Sequence, residues 1–118
     1  MPTVRKTAEV EAKTVGPEAP GVTMRVLIGP EQGAPNFVMR RFEVAEGGST
    51  PFHAHPWEHE VYVVSGTGAV AGENSRQALE GGDSVFVPGG EKHNFVNMGK
   101  QPFVFLCVIP GEQSCKRG

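Results

Sequence analysis

The 118-residue chain has no apolar run approaching the roughly 20 residues that a membrane-spanning helix needs. Its first residues, Met1-Pro2-Thr3-Val4-Arg5-Lys6, hold no apolar core for a signal peptide. Positive charge is not in excess: 11 Lys and Arg stand against 13 Asp and Glu, for a net charge of −2. The basic residues are scattered, so neither a nucleic-acid partner nor a membrane partner is expected. Cysteine is scarce, with Cys107 and Cys115 the only two. Cys115 sits in a polar stretch, and free thiols in a reducing, cytoplasmic setting are the expectation. Helical patterning is also missing, since no ten residues keep a 3.6-residue apolar period.

What the chain has is turn formers. It carries 16 glycines and 10 prolines, about a fifth of the residues against a typical ~12%. Between them lie short extended runs. Val22, Met24, Val26 and Ile28 alternate onto one face of a strand. Further strands are read at 36–44, 60–65, 69–71, 84–87, 92–97 and 102–109. Regular short strands separated by turn signals indicate an all-β sandwich or barrel. Residues 1–21 read as an N-terminal arm and linker, 22–111 as a single β domain, and 112–118 as a polar C-terminal tail.

The four histidines fall in two places. His53, His55 and His59 lie in the run His53-Ala54-His55-Pro56-Trp57-Glu58-His59, and share one parity. On an extended chain such residues point the same way, so three imidazoles can aim into one interior, with His93 completing the set from another strand. Imidazole suits manganese, iron, nickel, copper and zinc. A lone histidine on a strand is ordinarily a satisfied polar group, but three of one parity within seven residues favour a metal. The ring nitrogens not facing a metal need partners of their own, for which Glu58, Glu60, Asn97 and backbone carbonyls are candidates. Trp57, within the run, either packs or shields the mouth.

These residues sit in two spaced patterns. The first comprises Gly47, His53, His55, His59 and Gly66, the second Gly82, Pro88, Gly90, His93 and Asn97. Together they resemble the two motifs of the cupin superfamily. The second matches throughout. The first departs once, with His59 where the family usually has glutamate. Glu60, one residue later, is the alternative to His59, although the spacing to Gly66 and the parity with His55 favour His59. The runs 25–29, 34–40, 55–60 and 105–110 are similar to small, manganese-binding, tetra-histidine single-domain cupins, over about residues 21–110. The resemblance implies a jelly-roll β-barrel, a homodimer, and one divalent metal per chain, manganese first and iron next, inside the barrel. The N-terminal arm is a candidate for strand exchange between two copies.

Four neutral imidazoles would leave a divalent ion its full double charge, making it a stronger Lewis acid and disfavouring its oxidation. Open coordination positions would suit dioxygen, peroxide or a chelating substrate. The leading expectation is an oxidoreductase of dioxygenase or peroxide-using type acting on a small organic molecule. The alternatives are a metal-loaded binding module without catalysis and an isomerase or lyase using the ion as a Lewis acid. A closed zinc staple is the structural alternative. Among substrate-facing candidates, Arg40 is out of place on an apolar face shared with Val38, Phe42 and Val44, where it suits an anionic group or a structural ion pair. Phe105 and Cys107 are the metal-facing pair that the resemblance implies, and core packing accounts for them equally well.

Overall fold

A computed structural model describes residues 1–111; the tail 112–118, including Cys115, lies outside the described residues. Among the described residues there are nine strands: β1 (Lys13–Thr14), β2 (Val22–Ile28), β3 (Phe37–Val44), β4 (His59–Ser65), β5 (Thr67–Ala71), β6 (Arg76–Glu80), β7 (Ser84–Val87), β8 (Asn94–Asn97) and β9 (Phe103–Pro110). They make a six-stranded sheet of order β1-β2-β3-β9-β4-β7 and a three-stranded sheet of order β6-β5-β8. The two sheets close over one apolar interior, the jelly-roll arrangement expected from the resemblance. Among the described residues helix is limited to single 3₁₀ turns at Thr7–Glu9 and Pro30–Gln32. Among the described residues no helix is long and apolar enough to cross a membrane.

Alternation drives the large sheet. On β3 the inward residues Phe42 and Val44 are buried, and Arg40 shares their face. β9 is apolar on both faces and lies inside the sheet, paired with β3 on one side and β4 on the other. Phe103, Phe105 and Cys107 point inward and are at most 2% exposed. The core is an aromatic cluster around Phe105, whose ring lies 5.1 Å from Phe42, 4.8 Å from Phe95 and 5.4 Å from Phe103. Such pairs add about 0.5–1.5 kcal/mol each beyond their buried area.

β6 was not expected from the sequence. Arg76-Gln77-Ala78-Leu79-Glu80 buries only Leu79, so it carries too few apolar residues to show alternation. Its strand is set instead by pairing with β5, from Thr67↔Glu80 to Ala71↔Arg76. β1 is likewise short, and holds the arm against its own chain through Lys13↔Met24 and Thr14↔Thr23. Arg25 Nε donates to Val10 O at 3.0 Å, and Arg5 donates to the carbonyls of Val26 and Leu27. The strand read at 92–97 begins at Asn94.

Gly66 joins β4 to β5 with φ of +87°, and a Cβ there would collide with the Pro102 carbonyl. A side chain is therefore excluded by both conformation and space.

Candidate metal centre

The four histidines meet at one end of the barrel, with His59 and His93 buried, His55 half-buried and His53 exposed. Ring centroids lie 4.2 Å apart for His53–His55, 5.0 Å for His55–His59, 5.1 Å for His59–His93 and 6.2 Å for His53–His93. The route to this cluster differs from simple strand parity. Only His59 lies in a regular strand, as the first residue of β4. His53 and His93 are placed by an isolated antiparallel bridge. Each backbone N–H donates to the other's carbonyl, at 3.2 and 3.1 Å, which puts both side chains on one face. His55 is in the connecting loop, tied to the opposite loop by the Gly90 N–H donating to its carbonyl. Gly90 makes that turn with φ of +83°.

Three of the rings have a partner on Nδ1. His53 Nδ1 is 2.8 Å from Pro51 O and His93 Nδ1 is 2.9 Å from Glu91 O. A carbonyl can only accept, so in both rings Nδ1 carries a proton and Nε2 is the nitrogen left to meet a metal. This is the orientation that metal-ligating histidines adopt. His59 Nδ1 lies 3.4 Å from Cys107 Sγ, and its Nε2 is buried without any hydrogen-bond partner. The other candidates for this orienting role are placed elsewhere. Glu58 and Glu60 are exposed. Asn97 Nδ2 donates to Val44 O and Gln101 O, and its Oδ1 accepts from Gly99 N, so it staples loops rather than histidines.

Burial, then Arg40, then the neighbouring histidines lower the His59 pKa from 6.5 to about 3. Burial, then His53, His93 and Arg40 lower that of His55 to about 4. Both rings are neutral at pH 7 and available as donors. Burial raises the Cys107 thiol, partly opposed by Arg40 through its charge and hydrogen bond.

The donor chemistry therefore fits a divalent transition metal: four imidazoles, two of them locked with Nε2 free and one with an orphaned buried Nε2. Among the described residues no group of three or more His, Cys, Asp or Glu side chains is already arranged to hold an ion. His55 is stacked between two rings: it lies within 11° of parallel to His59 and 6° of parallel to Trp57, at 5.0 and 4.7 Å. Trp57 thus packs on a histidine, half-buried, with its Nε1 unpartnered.

Beneath the histidines lies a cavity of about 270 Å³, near the lower end for small-molecule sites. Its lining includes all four histidines and also Arg40, Phe105 and Cys107. Sequence reasoning missed Met24, Thr14 and Val15, which close one side. Their signal was present only in the alternation of 22–28 and in an arm with no pattern of its own. Three larger concavities, about 530, 620 and 340 Å³, lie away from the histidines and contain none of them.

The polyketide cyclase RemF from Streptomyces resistomycificus superposes with a TM-score of 0.88 at 37% identity, over 95% of this chain and 81% of that one. The auxin-binding protein ABP20 of Prunus persica is 44% identical over 83 residues, 62% of this chain but only 39% of its own length. The tetracenomycin polyketide synthase protein TcmJ of Streptomyces glaucescens is 29% identical over 103 residues, covering 85% of this chain and 69% of that protein. The Cupin domain family matches residues 40–109, which take in both histidine patterns, and the chain belongs to the cupin family.

Proposed function

We propose that His53, His55, His59 and His93 hold one divalent metal, in a tetra-histidine centre of the manganese-binding kind, and that the protein catalyses a Lewis-acid reaction, such as a cyclisation, on a small carbonyl compound. The observation that carries this reading is the state of the ring nitrogens. Two imidazoles are fixed by carbonyls with Nε2 free, and the Nε2 of His59 is buried with no other partner. When bound, the metal supplies a Lewis acid that polarises a carbonyl. Four neutral ligands leave its charge undiminished, which favours this role over cycling to a higher oxidation state. The 37% identity to a polyketide cyclase over nearly the whole chain supports the same class of chemistry.

The chain's own residues supply position and environment. The bridge between His53 and His93 sets two donors from different parts of the chain. Cys107 Sγ steers the His59 ring through Nδ1. Phe42, Phe95 and Phe105 form a dry floor, where interactions with a developing charge are strengthened by the low dielectric.

Elemental analysis of protein expressed without added metal tests the centre, with about one manganese or iron per chain expected. Ring closure of a linear poly-β-carbonyl test compound, followed with and without oxygen, tests the chemistry. Closure that continues without oxygen is expected. Turnover that requires oxygen or peroxide would make the protein an oxidoreductase instead, and absence of any turnover by fully loaded protein would leave a binding module.

A further inference from the structure

Arg40 stands on β3 among inward-facing residues, its side chain on the cavity wall. Its surroundings are unusual for a cation. Nη2 donates to Cys107 Sγ at 3.2 Å, Nη1 reaches only Met24 Sδ at 4.0 Å, and the guanidinium carbon lies 5.0 Å from the Phe42 ring centroid. Nε is buried with no hydrogen-bond partner. Among the described residues the ion pair is Arg41–Glu43 at 3.8 Å, and it involves the neighbouring arginine, not this one. Charged groups withdrawn from water are normally paired. Here a guanidinium faces two sulfurs and an aromatic ring, with part of its planar donor fork unspent.

The cavity also limits what fits against that fork. Its volume is about 270 Å³. Its apolar lining includes Phe42 and Phe105, stacked on one another at 5.1 Å, with Phe95 beside them. One guanidinium edge matches a carboxylate or a phosphate bidentately, but a phosphate would leave its further charge and oxygens against apolar groups, at a desolvation cost.

We propose that this cavity takes a small, apolar carboxylate, its carboxylate on Arg40 and its body against the phenylalanines. The inference names the substrate class of the site proposed above, and rests on that reading only in assigning the ligand as substrate. Binding at Arg40 itself does not require the metal. Its position also explains a polar residue in an apolar strand: Arg40 pairs across the sheet with Val26 and Cys107, where an aliphatic side chain would serve packing better.

The test is calorimetric titration of the full-length chain with benzoate and with its neutral isostere benzamide, as purified and after chelator treatment, for the wild type, Arg40→Met and Arg40→Lys. Wild type should prefer benzoate in both states. Arg40→Met should weaken benzoate by about tenfold or more, the worth of a charge-assisted pair, while changing benzamide little. Arg40→Lys should fall between, because it keeps the charge and loses the fork. If Arg40→Met does not fold, the benzoate-to-benzamide ratio of chelator-treated wild type decides. A ratio near one there, undiminished benzoate binding by Arg40→Met, or no benzoate binding at all overturns the proposal. A preference that vanishes on chelation overturns it while leaving the metal centre standing. An Arg40-dependent preference in protein that carries no metal as purified supports it while removing the metal centre.

Discussion

Acidification of the chelator-treated protein should destabilise it, and a single side chain should account for much of the effect. His59 is 5% exposed, and its pKa falls from 6.5 to about 3, by burial first and Arg40 second. In the unfolded chain the ring returns to about 6.5. Below pH 6.5 the unfolded state thus takes up a proton that the folded state refuses. The contribution of the neutral ring is complete above pH 6.5 and is lost progressively as pH falls toward 3. Between pH 7 and pH 5 the folded ring stays neutral, and protonation of the unfolded state alone removes about 2 kcal/mol. His55, lowered to about 4, acts in the same direction, but less, because it is only half-buried and water screens it. The assay is urea unfolding of wild type and His59→Gln at pH 7, 6 and 5. The variant cannot titrate in either state, so wild type should lose about 2 kcal/mol more across the window. Comparing slopes cancels any uniform cost of the substitution, and carboxylates contribute to both proteins alike. Equal slopes would refute the argument that burial holds this ring neutral.

His59→Ala should lower metal content severely while leaving the β-sheet circular dichroism intact, and undiminished metal by elemental analysis would point to Glu60 or to no residue of this run. Cys107→Val removes the sulfur that meets His59 Nδ1 at 3.4 Å; metal affinity should fall about tenfold or more, measured by competition with a chelating dye, while Cys107→Ser retains most of it. Metal loading should pull His55 off Trp57, which is the only tryptophan and lies 4.7 Å from it, so tryptophan emission should change with one equivalent of metal and not with magnesium. Gly68→Ala places a Cβ 2.6 Å from the Phe103 ring and 2.7 Å from Val96 O; the overpacking should cost about 1–3 kcal/mol in urea unfolding. Asn97→Ala strands two carbonyls and one N–H that its side chain now serves, and should cost about 2–4 kcal/mol.

Different parts of the site were legible in the sequence to different degrees, and the reason is where each part stores its information. Arg40 was readable because it sits in a long strand, where period-2 alternation fixes the facing of every residue once one is known; Phe105 and Cys107 were not readable in that way, because their strand is apolar on both parities, and only the family resemblance chose between its faces. That the histidines would gather was also readable, but by an argument that holds only for His59. His53 and His55 are outside regular strands, and what places them is a backbone bridge to His93 and the Gly90 turn. Equal parity was therefore a correct sign of a shared site without being its cause. The partners of His53 and His93 were not readable beyond a general candidacy, because a carbonyl belongs to every residue and leaves no mark in side-chain identity. β6 was missed for a related reason: its pairing with β5 is written in backbone hydrogen bonds, and only Leu79 is buried. The same logic makes Arg40 the most informative residue in the cavity. A charged side chain on an apolar strand contradicts the local pattern, and such contradictions are expected where function overrides packing. The fold resolves its contacts into sulfur, ring and an unpartnered Nε rather than a carboxylate. The partner that would reconcile that charge with its surroundings is then more naturally a bound anion than any residue of the chain.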